Sequence, residues 1–318
     1  MSSPNMPLPS DQNPVGPTGP TVPWNERLAT VPKPILYAIL ILVCALPQFL
    51  PIAFPNSPDE SSKDLYRSLL ELQPGDKVLV ATDWTNSTRG ESRAEFIALF
   101  KVLIERGAKV TLYSTADPQA PQAALDTLTA MNSARRTAGK PEFVRGKDFV
   151  STGFFANSEG ATNGIANDLL ATFKGKKDLG VPVLETPPMQ GIKRVQDFKL
   201  LVVLTASKTS NIVVERVSGK VPLAFLVTGV MGPETQVFYQ SKQIIGLSNG
   251  LKGAFDLEQL IAKGDPAANL PAVIPNDPPG QASKFYPTLH FAMALLVIMI
   301  VLGNIATIAG RSKQRGMR

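Results

Sequence analysis

Residues 77–113 read KVLVATDWTNSTRGESRAEFIALFKVLIERGAKVTLY, and this stretch decides the fold. Its first six residues, KVLVAT, make an apolar run that follows the turn signal Pro74-Gly75. Such a run is the pattern of a strand buried on both faces. Across 91–106, Phe96, Ile97, Leu99, Phe100, Leu103 and Ile104 recur at helical spacing, and Gly107 supplies a stop. Thr88-x-x-Glu91 and Ser92-x-x-Glu95 are alternative capping boxes for the helix start. KVTLY at 109–113 then follows two residues after the helix. Strand, helix, strand is a βαβ unit, for which a right-handed crossover is expected.

The same alternation extends outward in both directions. A helix is predicted over 61–72 before the first strand. Later helices are predicted over 121–137, 163–173, 211–217, 234–241 and 251–263, with strands over 149–154, 199–205, 223–227 and 243–247. Strands alternating with helices give an α/β fold: a mostly parallel, doubly wound, Rossmann-like sheet domain over 61–263.

Two further segments belong to a different solvent. Residues 34–54 (PILYAILILVCALPQFLPIAF) and 287–310 (PTLHFAMALLVIMIVLGNIATIAG) contain no Lys, Arg, Asp or Glu. As helices at about 1.5 Å per residue, each spans a bilayer's hydrocarbon layer. A cleaved signal peptide is disfavoured for the first, because over thirty residues precede it and its apolar run is too long. Val43 before Cys44 also lacks the small side chain a lipoprotein site requires. The sequence therefore predicts a two-helix membrane protein, with a Pro/Ser/Gly-rich tail (1–33), an extended Pro-rich linker (264–286) and a basic tail (311–318).

Charge sets the expected orientation. The chain carries a formal net charge of +6, yet residues 55–286 hold 26 Lys+Arg against 24 Asp+Glu. The excess lies beside the apolar segments, at Arg27, Lys33, Arg311, Lys313, Arg315 and Arg318. Both termini are thus expected in the cytoplasm and the central domain outside the cell membrane. No dense basic run with interleaved aromatics occurs, which argues against nucleic acid as a partner. With one cysteine and one histidine, His290, the chain offers neither a disulfide nor a Cys/His metal site, and no cofactor is expected.

The blocks GDKVLVATDW, RAEFIALFKVLIERGAKVTLYS, GKDFVSTGFF, PPMQG, VQDFKLLVVLT, PLAFLVTGVMGP and QIIGLSNGLKGAFD carry a resemblance. They resemble an uncharacterised bacterial membrane-protein family with a Rossmann-like α/β domain between two transmembrane helices. The resemblance implies architecture and no activity, so no catalytic residue is carried over.

Chemistry in open α/β sheets sits at the carboxyl ends of the strands. The loops there supply Asp83, Thr85, Asn86, Ser87 and Arg89, then Ser114, Asn157, Ser207, Lys208 and Thr228. This hydroxyl-rich set suits a small polar or anionic ligand near helix N-termini. Ser, Thr, Asn and Asp are also what helix caps and turns select without any ligand. Three enzyme signals are weak. Gly246-Leu247-Ser248-Asn249-Gly250 matches a G-x-S-x-G elbow, but its only available histidine lies at a membrane helix. Asp83 closes the first strand as the nucleophile does in phosphatases of the haloacid dehalogenase type, but Thr85 stands where a second aspartate acts, and no later acidic pair holds magnesium. Neither G-x-G-x-x-G after the first strand nor a Walker A sequence occurs.

The expected function is therefore a membrane-anchored binding or assembly module, with a phosphoester hydrolase built on Asp83 and a pure scaffold as alternatives. Expected partners are the lipid bilayer, another membrane protein or a second copy of the chain, and a small polar ligand. Gly303, Ala306, Thr307 and Gly310 form a small-residue seam suited to close helix packing in the second apolar segment.

Overall fold

The apolar runs become six parallel strands: β1 (Lys77–Asp83), β2 (Lys109–Ser114), β3 (Phe149–Phe154), β4 (Leu200–Thr205), β5 (Leu223–Val227) and β6 (Gly246–Asn249). Their order across the sheet is β3-β2-β1-β4-β5-β6, with every neighbouring pair parallel. This is the doubly wound order, and it reverses direction between β1 and β4. The structure is a computed structural model that describes residues 31–50, 56–208 and 210–316. It divides into two units, Leu50–Pro287 and a second comprising Met1–Phe49 with Thr288–Arg318.

Strand alternation sends side chains to two separate cores. Val78, Val80, Val110, Leu112, Val202 and Leu204 face one side, beneath α2 (Glu60–Leu70), α3 (Arg89–Glu105), α4 (Ala120–Thr137) and α9 (Gly250–Lys263). Leu79, Ala81, Leu201, Val203, Phe225 and Val227 face the other. There the cover is α5 (Ser158–Asn167), α6 (Leu169–Phe173), α7 (Ser210–Val217) and α8 (Gly232–Gln240). Strands covered on both sides need apolar residues at every position, which is why KVLVAT and LLVVLT do not alternate.

Other elements pack against both outer strands. At β6 the backbone of α2 lies directly on Gly246, where an added Cβ would sit 2.5 Å from Leu65 Cα. At β3 the loop that follows α6 covers the rim: Lys176 Nζ donates to Phe154 O at 2.9 Å, and Ser151 N donates to Asp178 Oδ2 at 2.9 Å. Edge strands left bare invite pairing with other chains, and at β3 these contacts occupy the Phe154 carbonyl and the Ser151 amide.

Several expectations are corrected. The helix expected over 163–173 is two helices, because Asp168 takes a non-helical backbone and its side chain caps Ala171 N at 3.1 Å. The strand expected over 243–247 lies later, at Gly246–Asn249, because Lys242 turns the chain with φ 61. The stretch 264–286 is not an extended spacer. Leu270 is buried in the first core, and Tyr66 holds the segment by donating to Pro271 O (2.9 Å) and accepting from Val273 N (3.2 Å). Burial pushes the Tyr66 hydroxyl up to about 12.

Helix α9 fastens both ends of this unit. Asp256, fully buried as a side chain, accepts from Asn56 Nδ2 (2.8 Å), Asp59 N (3.0 Å) and Lys252 Nζ (2.6 Å). Two residues on, Glu258 accepts from Ala282 N (3.0 Å), Ser283 N (2.8 Å) and Ser283 Oγ (2.6 Å). Phe255 stacks on Tyr286 with ring centroids 4.5 Å apart. The segments that lead to the two apolar stretches therefore dock on a single helix.

In the other unit, α1 (Lys33–Phe49) is an apolar helix of 17 residues, about 25 Å long. The expected segment 34–54 ends early as a helix, and residues 51–55 lie outside the described residues. The helix α10 (Gln281–Gly316) begins before the expected start and carries Pro287 inside it. Its portion Gln281–Ala309 is long and apolar enough to cross a membrane. Gln48 Nε2 donates to Thr288 Oγ1 at 2.9 Å, which brings the end of α1 beside the early part of α10. Of the small-residue seam, Ala306 is buried, Thr307 Oγ1 donates back to Gly303 O at 2.9 Å, and Gly310 lies in the same helix. The expected tail 1–33 falls almost entirely outside the described residues.

Candidate functional site

The strand order reverses between β1 and β4, and the loops leaving these two strands lie at the carboxyl edge, where open α/β sheets place their ligands. Ala206 N donates to Asp83 O at 3.3 Å, which keeps the two loops together at their base. Asp83 itself is buried, and its side chain turns toward β2. Oδ1 accepts from Ser114 Oγ (2.8 Å), Thr115 N (2.6 Å) and Ala116 N (3.0 Å), while Oδ2 accepts from Thr115 Oγ1 (3.0 Å). Four donors make Asp83 a latch for the β2–α4 loop, and they bring Ser114 to it as one of those donors.

Beyond this latch the first loop rises into solvent. Thr85 Oγ1 and Ser87 Oγ share a hydrogen bond of 2.7 Å, and Thr88 Oγ1 donates to Thr85 O at 3.2 Å. Asn86, Ser87 and Arg89 are exposed, and Arg89 is the first residue of α3. On the second loop Ser207 N donates to Thr205 Oγ1 at 2.9 Å. Lys208 is exposed and stands 4.0 Å from Glu234. Thr228 extends the row on β5, where its N donates to Thr205 O at 3.4 Å. Thr85, Asn86, Ser87, Arg89, Ser207 and Lys208 thus lie on the two loops that leave β1 and β4, with Thr228 just after β5.

Asn157 belongs elsewhere. Its Oδ1 accepts from Gly160 N at 2.9 Å and so caps α5. It also lines a cavity of about 440 Å³ with Asn163 and Arg216, where Arg216 pairs with Glu159 at 3.2 Å. Capping explains this asparagine fully.

The residues that sequence reasoning missed lie on α3. Glu91 does not cap its own helix: its Oε2 accepts from Gly229 N, at the end of β5, at 2.7 Å. Glu95 is completely buried, accepts from Ser248 Oγ on β6 at 2.8 Å through Oε1, and has no partner at Oε2. Burial pushes its carboxyl well above the ordinary range, and the neighbouring Glu91 adds to the rise. The expected Ser92–Glu95 capping box does not form either, since Ser92 Oγ is buried without a partner. A glutamate inside an apolar helical face was the available signal, and it read as a cap.

The same contacts account for the G-x-S-x-G match. Ser248 sits within β6, fully buried and without the left-handed backbone an elbow requires. Gly246 admits α2, Gly253 leaves room for Ser248 Oγ, and Gly250 takes φ 57. An added Cβ at Gly250 would lie 2.9 Å from Glu91 Oε2. Packing therefore selects these glycines.

Among the described residues no group of three or more His, Cys, Asp or Glu side chains comes together to hold a metal ion. Compared with known proteins, the chain matches no family model and no curated protein.

Proposed function

We propose that this chain is a membrane-tethered α/β module that binds a small polar or anionic ligand in the crevice between loops 84–89 and 206–208. The observation that carries this reading is the placement of Arg89 and Lys208, both exposed, on the two loops that flank the order reversal. Arg89 opens a helix of 17 residues, so the positive end of the α3 dipole adds to the two cations. Thr85, Asn86 and Ser87 supply hydroxyl and amide groups beside them. Asp83 is fully occupied by loop contacts, which favours binding over attack on a phosphoester. The tether is Gln281–Ala309, and the charges around the apolar segments favour a domain outside the cytoplasm.

The test uses the full chain in detergent, titrated with inorganic phosphate and with AMP while the unfolding midpoint is followed. One of these anions is expected to raise the midpoint. The double substitution Arg89→Ala, Lys208→Ala is expected to weaken that binding about tenfold or more, since two charge-assisted contacts are lost. Binding that is indifferent to both substitutions, or no response to either anion, would overturn the reading.

A further inference from the structure

A second cavity, of about 290 Å³, lies at the β3 edge, away from the order reversal. Its polar wall is built from Arg145, Lys177, Asp178 and Ser151. Asp178 is 5% exposed and accepts from Arg145 Nε at 3.0 Å, Arg145 Nη2 at 2.5 Å and Ser151 N at 2.9 Å. A buried carboxyl held this way fixes the guanidinium by its Nε–Nη2 side, which leaves the Nη1 side as the further donor edge. Lys177 adds an exposed ammonium, so the ionisable groups of the wall sum to one net positive charge.

The lining also has an apolar part, beside Gln122, Thr152 and Gly153. Pro118, Pro121 and Leu125, from the start of α4, face Phe154 of β3. A volume near the lower end of the range for small-molecule sites, lined by apolar side chains and by two cations, defines the ligand by chemistry. We infer that this cavity binds a small organic monoanion, its carboxylate on Arg145 and Lys177 and its apolar body against Pro118, Leu125 and Phe154. An added β-strand from a partner is not the occupant. Lys176 and Asp178 already hold the Phe154 carbonyl and the Ser151 amide, which removes the backbone groups that strand addition would use.

The probe pair is benzoate and its neutral counterpart benzamide, each titrated by calorimetry into the full chain in detergent. Benzoate is expected to bind at least about fivefold tighter than benzamide, because only the carboxylate meets both cations. Lys177→Gln changes an exposed side chain and is expected to weaken benzoate binding about fivefold while leaving the unfolding midpoint in place. Arg145→Gln is expected to weaken it further, and Lys177→Gln keeps the test decisive if that variant misfolds. Equal affinity for the two probes overturns the inference, as does no binding of benzoate. So does a Lys177→Gln protein that binds benzoate as the unmodified chain does.

Discussion

Glu95 is the residue whose environment departs furthest from what its type prefers. A buried carboxyl with one hydrogen bond and one unpartnered oxygen is costly when charged, and burial pushes its pKa well above the ordinary carboxylate range. The folded-state value lies well above the ordinary 4.5, so folding takes up a proton between the two values. Stability is therefore fully present below about pH 4.5 and declines as pH rises above it, by at most about 1.4 kcal/mol per pH unit. Glu95→Gln keeps the acceptor for Ser248 and removes the titration. Its denaturant midpoint is expected to exceed that of the unmodified chain at pH 8 and to converge with it at pH 4; parallel curves across that range would refute the account. This acid was not legible beforehand, because a glutamate three residues after a serine reads as a capping box until its partner on a distant strand is known. Asp83 was found, but its role was not. Only the register of β2 against β1 shows that the side chain meets 114–116.

At the scale of elements, the close approach of α2 to β6 depends on one missing side chain. Gly246→Ala places a Cβ 2.5 Å from both Leu65 N and Leu65 Cα, contacts that only backbone movement relieves. A loss of about 1–3 kcal/mol in urea unfolding is expected. Gly90→Ala, with open space around it inside α3, is expected to be neutral or slightly stabilising. If both changes cost the same, close approach is not what Gly246 provides. The strands, the long helices and the parallel order were legible because burial on both faces leaves unbroken apolar runs. The segment 264–286 was misread because proline density reads as an extended spacer when its contacts are hidden. Tyr66, Leu270 and Glu258 decide its path, and all three act across long sequence separations.

For the whole molecule, α10 is the feature that water does not explain. Leu296, Val297, Ile300 and Ile308 are each more than half exposed on a helix long enough to cross a bilayer. On α1, Ile41 and Leu42 are equally open. Apolar surface of this extent favours transfer to lipid by about 25 cal/mol per Å². Topology is then set by the flanking charges. With Cys44 replaced by serine, Lys263→Cys is expected to react with a membrane-impermeant maleimide in intact cells, and Lys313→Cys only after lysis. The reverse pattern would invert the orientation. Sequence patterning gave the second apolar segment clearly, while α1, shorter and ending at Phe49, carries less weight.

The shared docking of residues 56–59 and 280–286 on α9 has a mechanical meaning. A pull delivered along the polypeptide from either flank reaches Asp256 or Glu258, the residues immediately before and after Leu257, which is buried in the hydrophobic interior. The two flanks are thus joined through one helix, which also contributes Leu257, Leu260 and Ile261 to the first core.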